Sequence, residues 1–120
     1  MVEKFLKDQW FKYHGCHSGG SWTRTPTKDV PISEEGVFTC RDYCRAAGYK
    51  YFGMECPMGT KVRCECSNTL TGSKVVDDLR CRTFGVRAHC IGPFNVFTKF
   101  GTFFMGAGRL NTAYAVQPDF

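Results

Sequence analysis

Apolar positions along the chain keep no single period. Val2, Phe5, Leu6 and Trp10 fit one face of a helix, while Trp10-Phe-Lys-Tyr-His also reads as a first core strand. Gly15-Cys-His-Ser-Gly-Gly reads as a turn. Trp22 to Gly36, rich in Thr, Pro, Asp and Ser, reads as an irregular loop broken by Pro26 and Pro31. At Phe38 the pattern becomes helical. Thr39 suits an N-cap with Asp42 three residues on, and Phe38 and Tyr43 hold staple positions. Ala46-Ala47 before Gly48 gives a helical end with a left-handed stop, so the pattern predicts a helix over 40–47. Tyr49-Lys-Tyr-Phe-Gly-Met-Glu then reads as a strand, Pro57-Met-Gly-Thr as a turn and Lys61 to Cys66 as a returning strand. Asn68 to Asp78 reads as a polar loop, and the chain finishes with Phe94, Phe97, Phe100, Phe103 and Phe104.

Composition narrows this to one class. With 42% hydrophobic and 22% charged residues the chain is not disordered, and thirteen glycines favour loops and short strands. The expectation is a small α+β domain, a short helix packed on a small antiparallel sheet. Eight cysteines in 120 residues point to a disulfide framework made in an oxidising compartment. The start, Met1 to Trp10, lacks the uninterrupted apolar core of a signal peptide, so the expectation is a leader already removed or a processed or recombinant start. No run approaches the roughly 18 apolar residues of a membrane span. The net charge of +5 gathers at Arg80, Arg82 and Arg87. That cluster could meet an acidic partner or anionic glycan, though a solvated basic loop explains it as well, and no nucleic-acid motif accompanies it.

Cysteine spacing decides between chemistries. Cys40 and Cys44 share a face of a helix, and Cys64 and Cys66 share a face of a strand. A helix on that strand closes two bridges; we take Cys40–Cys66 with Cys44–Cys64, and spacing leaves the reverse order open. Neither spacing matches a zinc knuckle, and His14, His17 and His89 are scattered, so no metal or other cofactor is expected. No Cys-x-x-Cys, nucleophile elbow or phosphate-cradling loop appears. Glu34-Glu35 and Asp77-Asp78 read as solvated turns rather than an acid–base pair, and the expectation is that the chain is not an enzyme.

Tyr13-His-Gly-Cys16, Phe38-Thr-Cys40-x-x-x-Cys44, Gly48-Tyr-Lys-Tyr-Phe-Gly53, Cys64-x-Cys66 and Cys90-Ile-Gly-Pro together resemble the WSC domain. The likeness covers roughly residues 11–100 and is most specific over 38–66. The family's later Cys-x-x-x-Cys is absent, only Cys81 lying there, and Cys56 is additional. Beside that resemblance we pair Cys56 with Cys81 and Cys16 with Cys90. It implies a disulfide-stapled fold similar to PAN/apple modules, extracellular or facing a cell wall and binding carbohydrate without catalysis. The division expected is a WSC-like domain over 1–100 and a Phe/Gly-rich extension over 101–120.

A secreted module for cell-wall or matrix adhesion is therefore the first expectation, its partner a polysaccharide or a glycoprotein glycan. Aromatic faces stack on sugar C–H surfaces, which makes Trp22 with Arg24, and Tyr49 or Tyr51, the candidate ligand residues. The alternative is a subunit of a larger extracellular or lumenal assembly, docking on protein partners or on itself through Phe97, Phe100, Phe103 and Phe104.

Overall fold

Ser33, rather than Thr39, begins the helix. In the computed structural model, which describes residues 11–20, 22, 28–82 and 89–117, helix α1 runs Glu34–Ala46. Ser33 Oγ accepts from the Gly36 N–H at 3.1 Å. Glu34 and Glu35, expected in a loop, fill the first turn, where carboxylates meet the positive end of the helix dipole. Gly36, a poor helix former, hid this turn from the sequence pattern. Its place is steric: a Cβ there would stand 1.7 Å from the Pro31 carbonyl oxygen. The far end closes as expected. Gly48 takes φ +87°, its N–H reaches the Arg45 carbonyl at 3.0 Å, and the Tyr49 N–H reaches that of Cys44 at 2.9 Å. That is a Schellman closure.

Among the described residues eight strands accompany this helix: β1 (Tyr13–Gly19), β2 (Lys28–Pro31), β3 (Tyr51–Met58), β4 (Lys61–Ser67), β5 (Ser73–Val76), β6 (Asn95–Thr98), β7 (Gly101–Phe104) and β8 (Leu110–Ala115). A 3-10 helix spans Asp78–Arg82. Six strands form one antiparallel sheet in the order β2-β4-β3-β8-β1-β5, and β6 and β7 pair as a separate hairpin. The expected class, a helix on an antiparallel sheet, is the one observed. Three strands fall where turns or loops were expected. β1 occupies the Gly/Ser/His run, β2 the irregular loop and β5 the polar loop, each paired with a neighbouring strand of the sheet. β8 lies between β3 and β1, so the segment after residue 100 supplies an interior strand of the sheet instead of an appendage.

The core sits between α1, the sheet and the β6–β7 hairpin. Phe52, Met54, Met105, Phe103 and Tyr114 are buried there with Val37. Phe11 closes one side, its ring edge-on to Phe103 at 4.6 Å and tilted against Phe38 at 5.3 Å. Each fully buried ring contributes about 1.5–3 kcal/mol.

All eight cysteines are bridged: Cys16–Cys81, Cys40–Cys64, Cys44–Cys66 and Cys56–Cys90. The helix-to-strand staples are therefore real in kind but reversed in order. The expected order, Cys40–Cys66 with Cys44–Cys64, needed α1 to run against β4. Along the chain the first helix cysteine instead meets the first strand cysteine, as when the two run the same way. The other two expected pairs, Cys16–Cys90 and Cys56–Cys81, are also exchanged. The 3-10 helix carries Cys81 to β1, while the Gly92 N–H, bonded to the Pro57 carbonyl at 2.8 Å, brings Cys90 to the end of β3.

Candidate functional site

Strand alternation sorts the sheet into two faces. Phe52, Met54, Cys64, Cys66 and Tyr114 face α1 and the hairpin. Gly53 and Glu55 from β3, Arg63, Glu65 and Ser67 from β4, Asn111 from β8 and His17 from β1 face the other way. On this face, free of helix among the described residues, Glu55, Glu65, Ser67, His17 and Asn111 are all buried. Polar groups withdrawn from water cost free energy unless they are partnered, so their contacts define the surface.

Glu55 Oε1 accepts from Arg63 Nη1 at 3.3 Å, and Oε2 accepts from the Arg109 N–H at 3.2 Å. Arg109 adopts φ +62° to present that N–H. His17 Nε2 lies 3.0 Å from the His14 carbonyl, an acceptor only, so Nε2 carries the proton. Its Nδ1 lies 2.7 Å from Ser73 Oγ. A Ser–His pair invites comparison with a nucleophile and base, but Ser73 Oγ also lies 2.6 Å from the Leu70 carbonyl. The pair fastens β5 and its preceding loop to β1. Asn111 Oδ1 is buried without a hydrogen-bond partner among the described residues.

Trp22 rests on this face. A Cβ on Gly53 would stand 2.7 Å from Asn111 Oδ1, 2.9 Å from Trp22 Cζ3 and 3.1 Å from Cη2. Glycine at 53 therefore lets the indole lie directly on the backbone of β3. Tyr51, two residues back on the same face, meets the His14 ring edge-on at 5.3 Å. Tyr49 is on the other side, packed against the core under α1. The structure thus places two of the candidate ligand residues on one face and separates the third; Arg24 lies outside the described residues. Sequence reasoning missed Glu55, Glu65 and Asn111. A usable signal was present: an acid flanked by two cysteines on a strand must point away from the face that the cysteines bury.

At the outer end of the face, Asp29, Thr60, Lys61 and Arg63, with Cys56, Met58 and Gly59, line an open cavity of about 410 Å³. Elsewhere, Cys40, Cys44 and Cys64 converge, as do Cys56, His89 and Cys90. Each of these cysteines is in a disulfide and offers no thiolate to a metal.

The phenylalanine-rich segment is largely consumed by the fold. Phe103 is buried, Phe100 meets Phe38 edge-on at 5.5 Å, and Phe104 packs on Tyr13 at 5.6 Å with the Arg82 guanidinium 4.1 Å from its ring centre. Phe97 differs, being 79% exposed.

No family model matches the chain. Over 49 residues, 41% of its length, it is 41% identical to the xylosyltransferase sqv-6 of Caenorhabditis elegans. The matched stretch is 6% of that protein, so the chain corresponds to a small part of its relative. The match corrects the expectation that the chain is not an enzyme: the matched stretch is shared with a transferase. What the sequence and fold establish together is a small cysteine-rich domain with four disulfides, as suits an oxidising compartment, and among the described residues no helix is long and apolar enough to cross a membrane.

Proposed function

We propose that the chain is an extracellular carbohydrate-binding module of the WSC type, and that its glycan lies on the helix-free face against Trp22 and Tyr51. The observation that carries this reading is the seat of Trp22. An indole laid on a glycine backbone, in a surface lined by polar side chains, has the form of a sugar platform: a flat apolar ring beside groups able to orient hydroxyls. The likeness to part of a xylosyltransferase adds support, since a module that holds a glycan suits a protein that works on one. The Phe-rich segment gives the assembly alternative less to stand on, because Phe103 is buried and Phe100 and Phe104 are occupied in ring contacts.

Pull-down on insoluble xylan and β-glucan, with the disulfide-bonded wild type and Trp22→Ala, tests the reading. Retention of the wild type and loss of retention by the variant is the expected result. Equal retention of both would remove Trp22 from the site, and failure of the wild type on every polysaccharide and on a glycan array would remove the function.

A further inference from the structure

The open cavity at the β2–β4 edge extends this reading. We propose that it is a second saccharide subsite, which takes a neutral sugar unit by a pair of adjacent hydroxyls. The proposal rests on the carbohydrate reading above and adds a site that Trp22 does not reach.

Three charged side chains define it. Arg63 and Asp29 are direct cross-strand partners, so both leave the same face of the sheet, and Lys61 follows two residues along on that face. The cavity they line, about 410 Å³, is the size of a small-ligand site. Glu55, almost fully buried, holds Arg63 by Nη1 alone, which fixes the guanidinium while its remaining N–H groups keep their donor capacity. The side chains of Asp29 and Lys61 have no hydrogen-bond or ion-pair partner among the described residues. A carboxylate and an ammonium that line one cavity without pairing form an acceptor and a donor set apart.

That arrangement selects for a diol. One hydroxyl donates to Asp29, and the hydroxyl oxygens accept from Lys61 and Arg63. A free anion would satisfy the two cations but would meet Asp29 with like charge, which sets it below a neutral sugar. Met58, 47% exposed at the rim, offers an apolar surface for the C–H face of the ring. The subsite also lies in line with the platform. Glu65 is the cross-strand partner of Gly53, beneath Trp22, and Arg63 is two residues from it on β4. That separation is about 7 Å along the strand, and Asp29 is one strand spacing further, about 5 Å. Neighbouring units of one oligosaccharide can bridge it.

The test is residue-resolved NMR of the intact, disulfide-bonded chain titrated with xylobiose, cellobiose, glucuronate and sulfate. A neutral disaccharide is expected to shift the Thr60 and Lys61 amides together with the Trp22 indole N–H. Asp29→Asn and Lys61→Met, both at the sheet edge, are each expected to weaken that binding about tenfold. Shifts confined to Trp22 would overturn the subsite and leave the proposed function standing. Shifts confined to the cavity would uphold the subsite and remove Trp22 from the site. A cavity that responds to glucuronate or sulfate but to neither disaccharide would overturn the neutral-sugar assignment. Silence at both places with every sugar would overturn both readings.

Discussion

The hydroxyl of Tyr13 donates to Asp78 Oδ1 at 3.0 Å, joining residues 65 apart in sequence. The bond ties β1 to the 3-10 helix beside the Cys16–Cys81 bridge, which spans the same two elements. Burial, then the hydrogen bond to Asp78 and that residue's charge, raise the Tyr13 phenol well above its ordinary value. Tyr114 is also raised, by burial first. A raised pKa means that the folded state holds the proton more tightly. The contribution is complete below the unfolded value, about 10, and is lost as pH climbs from there toward the folded value. Stability to urea is therefore expected to be flat from pH 7 to 9 and to fall above about pH 10. Tyr13→Phe should flatten part of that fall. With no free cysteine, thiol-initiated disulfide exchange does not confuse the measurement.

Bridge order is open to direct chemical proof. Trypsin cuts after Arg41 and Arg45, separating Cys40 from Cys44, and cleavage after Glu65 separates Cys64 from Cys66. Mass spectrometry of a non-reduced double digest is expected to find Cys40 joined to Cys64 and Cys44 to Cys66. Replacing Cys44 and Cys66 together by Ala should cost about 2–4 kcal/mol in urea unfolding.

Gly53→Ala puts a methyl group where Trp22 and Asn111 already stand. Overpacking of this kind should cost about 1–3 kcal/mol. The more diagnostic readout is the Trp22 indole N–H resonance, which should move as the ring is lifted from β3, with weaker glycan retention. An unmoved resonance would mean that the glycine is not the seat of the ring.

Arg63→Met leaves the Glu55 carboxylate buried with, among the described residues, only the Arg109 N–H. Because Arg63 itself is partly exposed, the expected loss is about 1–3 kcal/mol, read by urea unfolding. Glu55→Gln, which keeps an oxygen for the Arg109 N–H, should cost less.

Phe103→Ala and Phe97→Ala separate core from surface within one hairpin. The first should cost about 3–5 kcal/mol by emptying a core position. The second should leave thermal stability unchanged, and sedimentation of this variant beside the wild type shows whether the exposed ring joins copies of the chain.

Legibility in the sequence followed how local each determinant was. The end of α1 could be read because Gly48 and the residues before it fix that turn by themselves. Its start could not, because Gly36 is there to clear Pro31, a contact that exists only after β2 has paired. β1 carries little strand propensity and was hidden for the same reason, while Val75 and Val76 of β5 were masked by the polar residues around them. The staple between α1 and β4 followed from side-chain period, whereas its order depended on the direction in which two elements cross. Trp22 was legible as an exposed aromatic in a polar loop. Its seat was not, since Gly53 is thirty-one residues away and carries no side chain to announce the contact.

The position of β8 has a consequence for biogenesis. It is the last of the described strands in chain order, yet among them it alone joins the β2-β4-β3 group to the β1-β5 pair. A nascent chain can oxidise Cys40–Cys64 and Cys44–Cys66, whose partners are 24 and 22 residues apart, while still on the ribosome. The two halves of the sheet can fuse only after residue 115 has emerged, which leaves β3 and β1 as open edges until then.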